Sequence, residues 1–223
     1  MNLEKIDFTS LDATIFYGTN KIKGSAKTSL KLKTCEFSSD FVPLFPLNTE
    51  LSVIVRSKGV DVFKIRGEAF LSTKRFVRLQ PITLSLCENA EKVLEVPAKS
   101  IATCIRKHLF STTYEQCQIV YCSAEKLELS DILLTPERSD HKIELIAGTP
   151  LFNENARIAM TFDNSGMMFG IKDKKAKYVY NISKIDDDNR KKLLHYIRKT
   201  ALKEISRQWN TNASDAFSIN VLK

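Results

Sequence analysis

The sequence predicts a mainly β protein built from two small antiparallel barrels, each followed by an α-helix. Three observations carry this reading. Over the first hundred residues apolar and polar side chains alternate with period two. At Pro97 the period changes, and Ile101, Cys104, Ile105, His108 and Leu109 fall at i, i+3, i+4, i+7 and i+8, one face of a helix. Strands then resume, and they end on Asp186, Asp187 and Asp188, which open a long charged helix. Strands followed by a helix therefore occur twice, a layout that suits two barrels better than one large sheet.

Each element has its own justification. In "AKTSLKLKT" Lys27, Ser29, Lys31 and Lys33 share one side, and Leu30 and Leu32 face the other. "ELSVIVRS" and "VDVFKIRGEAFLS" flank Ser57-Lys58-Gly59, a hairpin turn in which Gly59 supplies positive φ. "RFVRLQPITLSL" is a further strand, and "DFVPLFPLN", with two prolines, is a loop. Phe63, Phe70 and Phe76 are assigned to the barrel interior. Pro97 suits the first turn of a linking helix over 97–113. Beyond it come "QCQIVYC", "KLELSDILLT", "HKIELIA", "ARIAMTF" and "MMFGIK", with Asp163-Asn164-Ser165-Gly166 as a tight turn, and then "KYVYNIS". Acids at 186–188 suit the exposed N–H groups and positive dipole end of a helix start, and Arg198, Lys199, Lys203 and Arg207 suit the other end. Leu194, Ile197, Ala201, Ile205 and Trp209 form its apolar stripe. At ~1.5 Å per residue a helix over 186–209 is about 36 Å long and outruns one barrel. Ile205 and Trp209 are thus candidate contacts with a protein partner or a second copy. The expected organisation is a first barrel over 1–96, the linking helix over 97–113, a second barrel with its long helix over 114–209, and a polar tail over 210–223.

Composition narrows the function. The 223 residues carry a net charge of +8, with 43% hydrophobic and 27% charged residues, the profile of an ordinary folded protein. Residues 1–112 hold 17 Lys/Arg against 11 Asp/Glu, and residues 113–223 hold 17 against 15, so the basic character sits in the first half. Lys27, Lys31, Lys33, Arg75 and Arg78 mark a basic surface, either a solvated strand face that discourages edge pairing or a site for phosphate, nucleic acid or an acidic protein. Five cysteines without a Cys-x-x-Cys pair, and three histidines without a spacing partner, read as free thiols in a reducing cytoplasm and not as a metal site. Met1 to Lys23 lacks the apolar core of a signal peptide, and no run approaches the ~20 apolar residues of a membrane span, so a cytoplasmic location is expected. There is no Gly-x-Ser-x-Gly, no Gly-rich phosphate loop and no paired His/Asp, so no enzyme is expected.

The stretch "YNISKIDDDNRKKLLHYIRK" resembles the ending of a PilZ domain, in which the last strand of a six-stranded barrel leads through an acidic turn into a helix. Ile185, Leu193, Leu194, Tyr196 and Ile197 take the apolar places. The resemblance covers about Gln116 to Lys199, and the first half is similar to the variant barrel preceding PilZ domains in two-domain members such as flagellar brakes. It implies two six-stranded-type barrels and a bacterial motility setting, flagellum or pilus. PilZ domains bind cyclic di-GMP through Arg-x-x-x-Arg before the barrel and Asp/Asn-x-Ser-x-x-Gly at an early hairpin, because guanidiniums clamp phosphates and stack on guanine. Here no two arginines lie four apart, and Arg106-Lys107-His108 stands between the barrels. The hairpin reads Glu128, Ser130 and Leu133, and a leucine does not take the positive φ of glycine. In "DNSGMM", Asp163 and Ser165 are correctly spaced but Met168 replaces Gly. The expectation is a noncatalytic adaptor or regulator acting by protein contact, without a cofactor and without standard cyclic di-GMP binding. One alternative is a cyclic di-GMP receptor using Arg106, Lys107 and Ser130 as substituted contacts; another is a nucleic-acid-binding barrel.

Overall fold

The computed structural model describes residues 1, 8–29, 32–107, 110–130, 143–147, 158–162, 167–172 and 175–210. The chain divides into two compact units, one formed by Met1–Val93 with Ala201–Lys223 and the other by Leu94–Thr200.

The first unit is a closed barrel of β1 (Leu11–Tyr17), β2 (Asn20–Ser29), β3 (Thr34–Ser38), β4 (Glu50–Ser57), β5 (Val60–Ser72) and β6 (Phe76–Leu86), in the order β1-β2-β3-β6-β5-β4. Alternation decides what points inward. Ile15, Phe37, Val53, Val55, Phe63, Ile65, Val77 and Leu79 are all fully buried, which is the main stabilising term for a small barrel. Lys58 (φ 50) and Gly59 (φ 78) form the left-handed two-residue turn between β4 and β5.

Closure depends on a strand that serves two neighbours. β2 pairs with β1 over Asn20–Ala26 and with β3 over Ser25–Ser29. Gly24 sits at the changeover, where a Cβ would stand 2.1 Å from the Ser38 carbonyl oxygen. Only a residue without one fits a bend at which two backbones approach this closely. The segment from 39 to 49 is pinned across the β5–β6 turn. Ser39 N donates to Arg75 O (3.0 Å), Val42 N to Lys74 O (2.8 Å) and Asn48 N to Ala69 O (2.8 Å), and Phe45 N donates to Ser72 Oγ at 2.9 Å.

After a short 3-10 turn at Ala90–Lys92, the second unit contains β7 (Glu95–Lys107), β8 (Thr112–Ser123), β9 (Lys126–Ser130), β10 (Ile143–Ala147), β11 (Ile158–Phe162), β12 (Met167–Lys172) and β13 (Lys175–Lys184). They form a seven-stranded sheet in the order β11-β10-β7-β8-β9-β13-β12, with an additional β11–β13 pairing. The expected linking helix over 97–113 is not there. Those residues fall mainly in β7 and β8, which pair through eleven positions from Glu95↔Ser123 to Lys107↔Thr112. Pro97 lies at a register shift, where a strand tolerates a missing N–H. Ile101, placed on the dry helical face by its spacing, is 60% exposed, whereas Ala102 is buried.

The final helix, α1 (Asp187–Asn210), begins where the sequence puts it. Asp186 caps it, its Oδ1 accepting from Asn189 N at 2.8 Å while Arg190 N donates to Asp186 O at 2.8 Å. Its buried stripe is Leu193, Ile197, Ala201 and Ile205, a strict four-residue repeat with Leu193 in the place expected for Leu194. Ile205 is fully buried within the chain, so the expectation that it is offered to a partner is corrected: the residue is packing. The side chain of Trp209, the polar tail from 211 onward and the turn at 163–166 lie outside the described residues.

Candidate functional site

Three strands of the first barrel carry one row of charge on their outer face. In register, Lys27 of β2 lies opposite Glu36 of β3, and Glu36 lies opposite Arg78 of β6. Alternation forces this outward placement, because Ala26 and Thr28, Cys35 and Phe37, and Val77 and Leu79 are their buried neighbours. Lys27 Nζ is 2.7 Å from Glu36 Oε1, and Arg78 Nε is 2.5 Å from Glu36 Oε2. The Glu36 side chain keeps only 11% of its exposure, against 53% for Lys27 and 44% for Arg78. Desolvation pulls the Glu36 carboxyl up, but the hydrogen bonds and charges of Lys27 and Arg78 together outweigh it and hold the group below the usual carboxylate range. The Arg78 guanidinium also lies over the Phe76 ring, 5.4 Å from its centroid.

This row forms part of the lining of an open groove of about 610 Å³. Thr28, Ser29, Leu32, Lys33 and Thr34 line it from β2, the β2–β3 turn and the start of β3, and Phe70 and Gln80 line it from β5 and β6. The turn is shaped by Leu32 N donating to Ser29 Oγ at 3.2 Å and by Lys33 in the left-handed region (φ 51). Phe70 is the unexpected member. The β5–β6 register passes from Ala69↔Leu79 to Leu71↔Arg78, so Phe70 is a bulged residue. The bulge leaves Phe70 and Leu71 both facing solvent, at 41% and 39% exposure. Phe63 fills the barrel as expected; Phe70 does not.

The expected basic surface is thus divided. Lys27, Lys33 and Arg78 converge on one groove. Arg75 sits exposed in the β5–β6 turn with its carbonyl engaged by Ser39 N, and Lys31 lies outside the described residues. Glu36, the centre of the arrangement, was visible in the sequence only as the acid ending a run without acids. Its role depends on cross-strand register.

The residues of the substituted dinucleotide set lie on two strands, β7 and β9. Ser130 ends β9 opposite Gln118, which is itself opposite Ile101 of β7, and the Ser130 hydroxyl is 3.5 Å from Gln118 Oε1. Arg106 and Lys107 lie five and six residues further along β7 and two strands across. At about 3.3 Å per residue and about 4.8 Å per strand, the Ser130 and Arg106 backbones stand roughly 19 Å apart. The side chains of Arg106 and Lys107, together with His108, Leu133, Asp163 and Ser165, lie outside the described residues.

Among the described residues no helix is long and apolar enough to cross a membrane. Cys35, Cys117 and Cys122 are buried outside any disulfide, with Cys117 Sγ 3.6 Å from Ala102 O, and Cys87 is half-buried.

No protein-family model matches the chain, and the comparison with curated proteins finds no match. Solved structures similar to it include the inhibitor of motility MotI/DgrA of Bacillus subtilis, at 14% identity and TM-score 0.38, covering 93% of this chain and 100% of that one. MrkH of K. pneumonia in its apo state is 10% identical with TM-score 0.40, covering 88% of each chain. YcgR of Escherichia coli, in complex with c-di-GMP, is 10% identical with TM-score 0.33, covering 94% of this chain and 91% of that one. These structural neighbours are PilZ-domain proteins.

Proposed function

We propose that this chain is a noncatalytic PilZ-like regulator that acts by protein contact in bacterial motility, flagellar or pilus, without standard cyclic di-GMP binding. The observation that carries the ligand half of this reading is the separation of Ser130 from Arg106 by two strands and five positions of register. It adds to the substitutions at Glu128 and Leu133. The protein-contact half is supported by apolar side chains held in water on firm backbone. Phe41, Leu44 and Leu47 are 63%, 64% and 70% exposed on the pinned segment between β3 and β4, and such surfaces mark interaction sites. The motility setting rests on the resemblance of the chain's ending. The accompanying fold reading is a second six-stranded barrel, supported by the β11–β13 pairing of Thr161 with Lys184 and Phe162 with Ile182.

Two measurements test the proposal. Titration calorimetry with cyclic di-GMP gives no heat if the reading holds; a dissociation constant in the low-micromolar range or tighter would establish the receptor alternative instead. Affinity capture from a native lysate is expected to return components of a motility apparatus, and recovery of only ribosomal or metabolic proteins would count against the setting.

A further inference from the structure

We propose that the outer groove of the first barrel is the docking site for an acidic peptide segment of a partner protein, carrying a large apolar side chain among its acids. The inference rests on the protein-contact reading above and adds to the exposed Phe41, Leu44 and Leu47 a second surface for it.

Charge selects the sign of the occupant. Among the described lining residues, Lys27, Lys33 and Arg78 stand beside one carboxylate, that of Glu36, which they outnumber. Glu36 also organises the site. By holding Lys27 and Arg78 at 2.7 and 2.5 Å it fixes two long side chains that would otherwise lose rotamer freedom on binding. An arginine carries five N–H donors and a lysine ammonium three, so the contacts to Glu36 engage one donor of each.

Apolar surface selects the rest. The bulge at Phe70 presents Phe70 and Leu71 beside the row of charge, and Leu32, 70% exposed, stands on the β2–β3 turn. A strand without the bulge would turn Leu71 into the barrel. Aromatic and aliphatic anchors of this kind supply most of the energy of a peptide contact, while charge sets orientation and on-rate.

The same features argue against a nucleic-acid strand. A phosphodiester chain needs cations tracking its length and a succession of aromatic platforms. Here Lys27 and Arg78 converge on one carboxylate, and among the described residues one exposed aromatic ring lines the groove. A volume of about 610 Å³, open to solvent, suits a few residues of peptide passing through.

The test uses the full chain as bait for a random peptide display library. The expected consensus holds two or more acids beside Phe, Leu or Trp. The best selected peptide, labelled with fluorescein, then serves as the anisotropy probe. Arg78→Glu and Lys27→Glu are each expected to weaken its binding at least tenfold, and Phe70→Ser to weaken it severalfold. Glu36→Gln removes one like charge ~6 Å from the ligand, an effect of about tenfold at an effective dielectric of ~40, and its amide oxygen still holds one of the two cations, so a net severalfold strengthening is expected. If the reversals at 27 or 78 perturb folding by thermal melting, Gln80→Glu places a negative charge in the same groove without touching the ion pairs and is expected to weaken binding likewise. Selected peptides without acids, or affinities unmoved by both Glu36→Gln and Gln80→Glu, would overturn the proposal. So would displacement of the probe by a single-stranded oligonucleotide that binds with a steep salt dependence, or by inorganic phosphate, since either would assign the groove to another ligand. Failure of the peptide arm with motility components still captured by the intact protein would remove this site and leave the wider function standing.

Discussion

Replacing Gly24 by alanine probes the feature on which barrel closure depends. The added methyl would meet the Ser38 carbonyl oxygen at 2.1 Å and Phe37 Cζ at 2.8 Å, where ordinary contact begins at 3.4 Å. The methyl must therefore recede about 1.3 Å from a backbone atom, the difference between these two distances. The Phe37 ring can rotate slightly, but it is fully buried and has little room. The carbonyl belongs to β3, held on both sides by β2 and β6, so relief requires one strand to shift. Overpacking of this kind costs about 1–3 kcal/mol, and a backbone obstacle places the expectation in the upper half of that range. At about 2–4 °C per kcal/mol for a chain of this size, the melting temperature should fall by roughly 4–12 °C. Gly59→Ala is the control, because nothing lies within 4 Å of its Cβ and only its φ of +78 opposes the change, at about 1–2 kcal/mol. Differential scanning calorimetry of the two variants beside wild type decides the matter. A Gly24→Ala melting temperature equal to wild type, or a loss smaller than that of Gly59→Ala, would refute the close-approach argument.

Three further expectations follow from burial and charge. Ile197→Ala, at a fully buried position of α1, should cost about 2–5 kcal/mol in denaturant unfolding, with an unchanged m-value. Burial, reinforced by the charge of Glu36, pushes the Cys35 thiol up to about 12, so in the native protein it should stay unreactive toward a chromogenic disulfide at mildly alkaline pH and become reactive on unfolding. The backbone and side-chain hydrogen bonds of Asn189 hold the Asp186 carboxyl below its ordinary value. Its contribution is therefore full above the unfolded aspartate range and disappears as pH falls through the lowered folded value. The melting-temperature gap between wild type and Asp186→Ala should be widest at neutral pH and close in acid.

The first barrel was legible because its strands alternate cleanly and its turns carry their own chemistry. Leu51, Val53 and Val55 are buried as "ELSVIVRS" implies, and Gly59 has the positive φ its turn requires. The stretch after Pro97 was misread because spacings of three and four can arise in a strand as well as a helix. What fixes it as β7 is pairing with Thr112–Ser123, and a window of sequence contains no such pairing. The stripe of α1 was legible to within one residue, Leu193 for Leu194, while the burial of Ile205 depends on packing that periodicity does not specify. In the groove, Lys27, Lys33 and Arg78 were readable as basic residues on a strand face. Glu36 and the bulged Phe70 were not, since both owe their positions to which strand lies opposite.

The strand order of the first barrel also sets a timetable for its birth. β3 finds its second neighbour only in β6, and β1 finds its second neighbour only in β4. A ribosome that has released Ser38 must still deliver the 48 residues to Leu86 before the ring can seal. At about 5–20 residues per second this leaves roughly 2–10 s in which the free edge of β3 has no partner, while β1 can take up β4 once Ser57 is out. Lys27 lies beside that edge, opposite Glu36 of β3, and Lys33 stands in the turn before it. These two charges, which line a groove in the finished protein, would in the nascent chain flank the open edge and disfavour its pairing with another unfinished barrel.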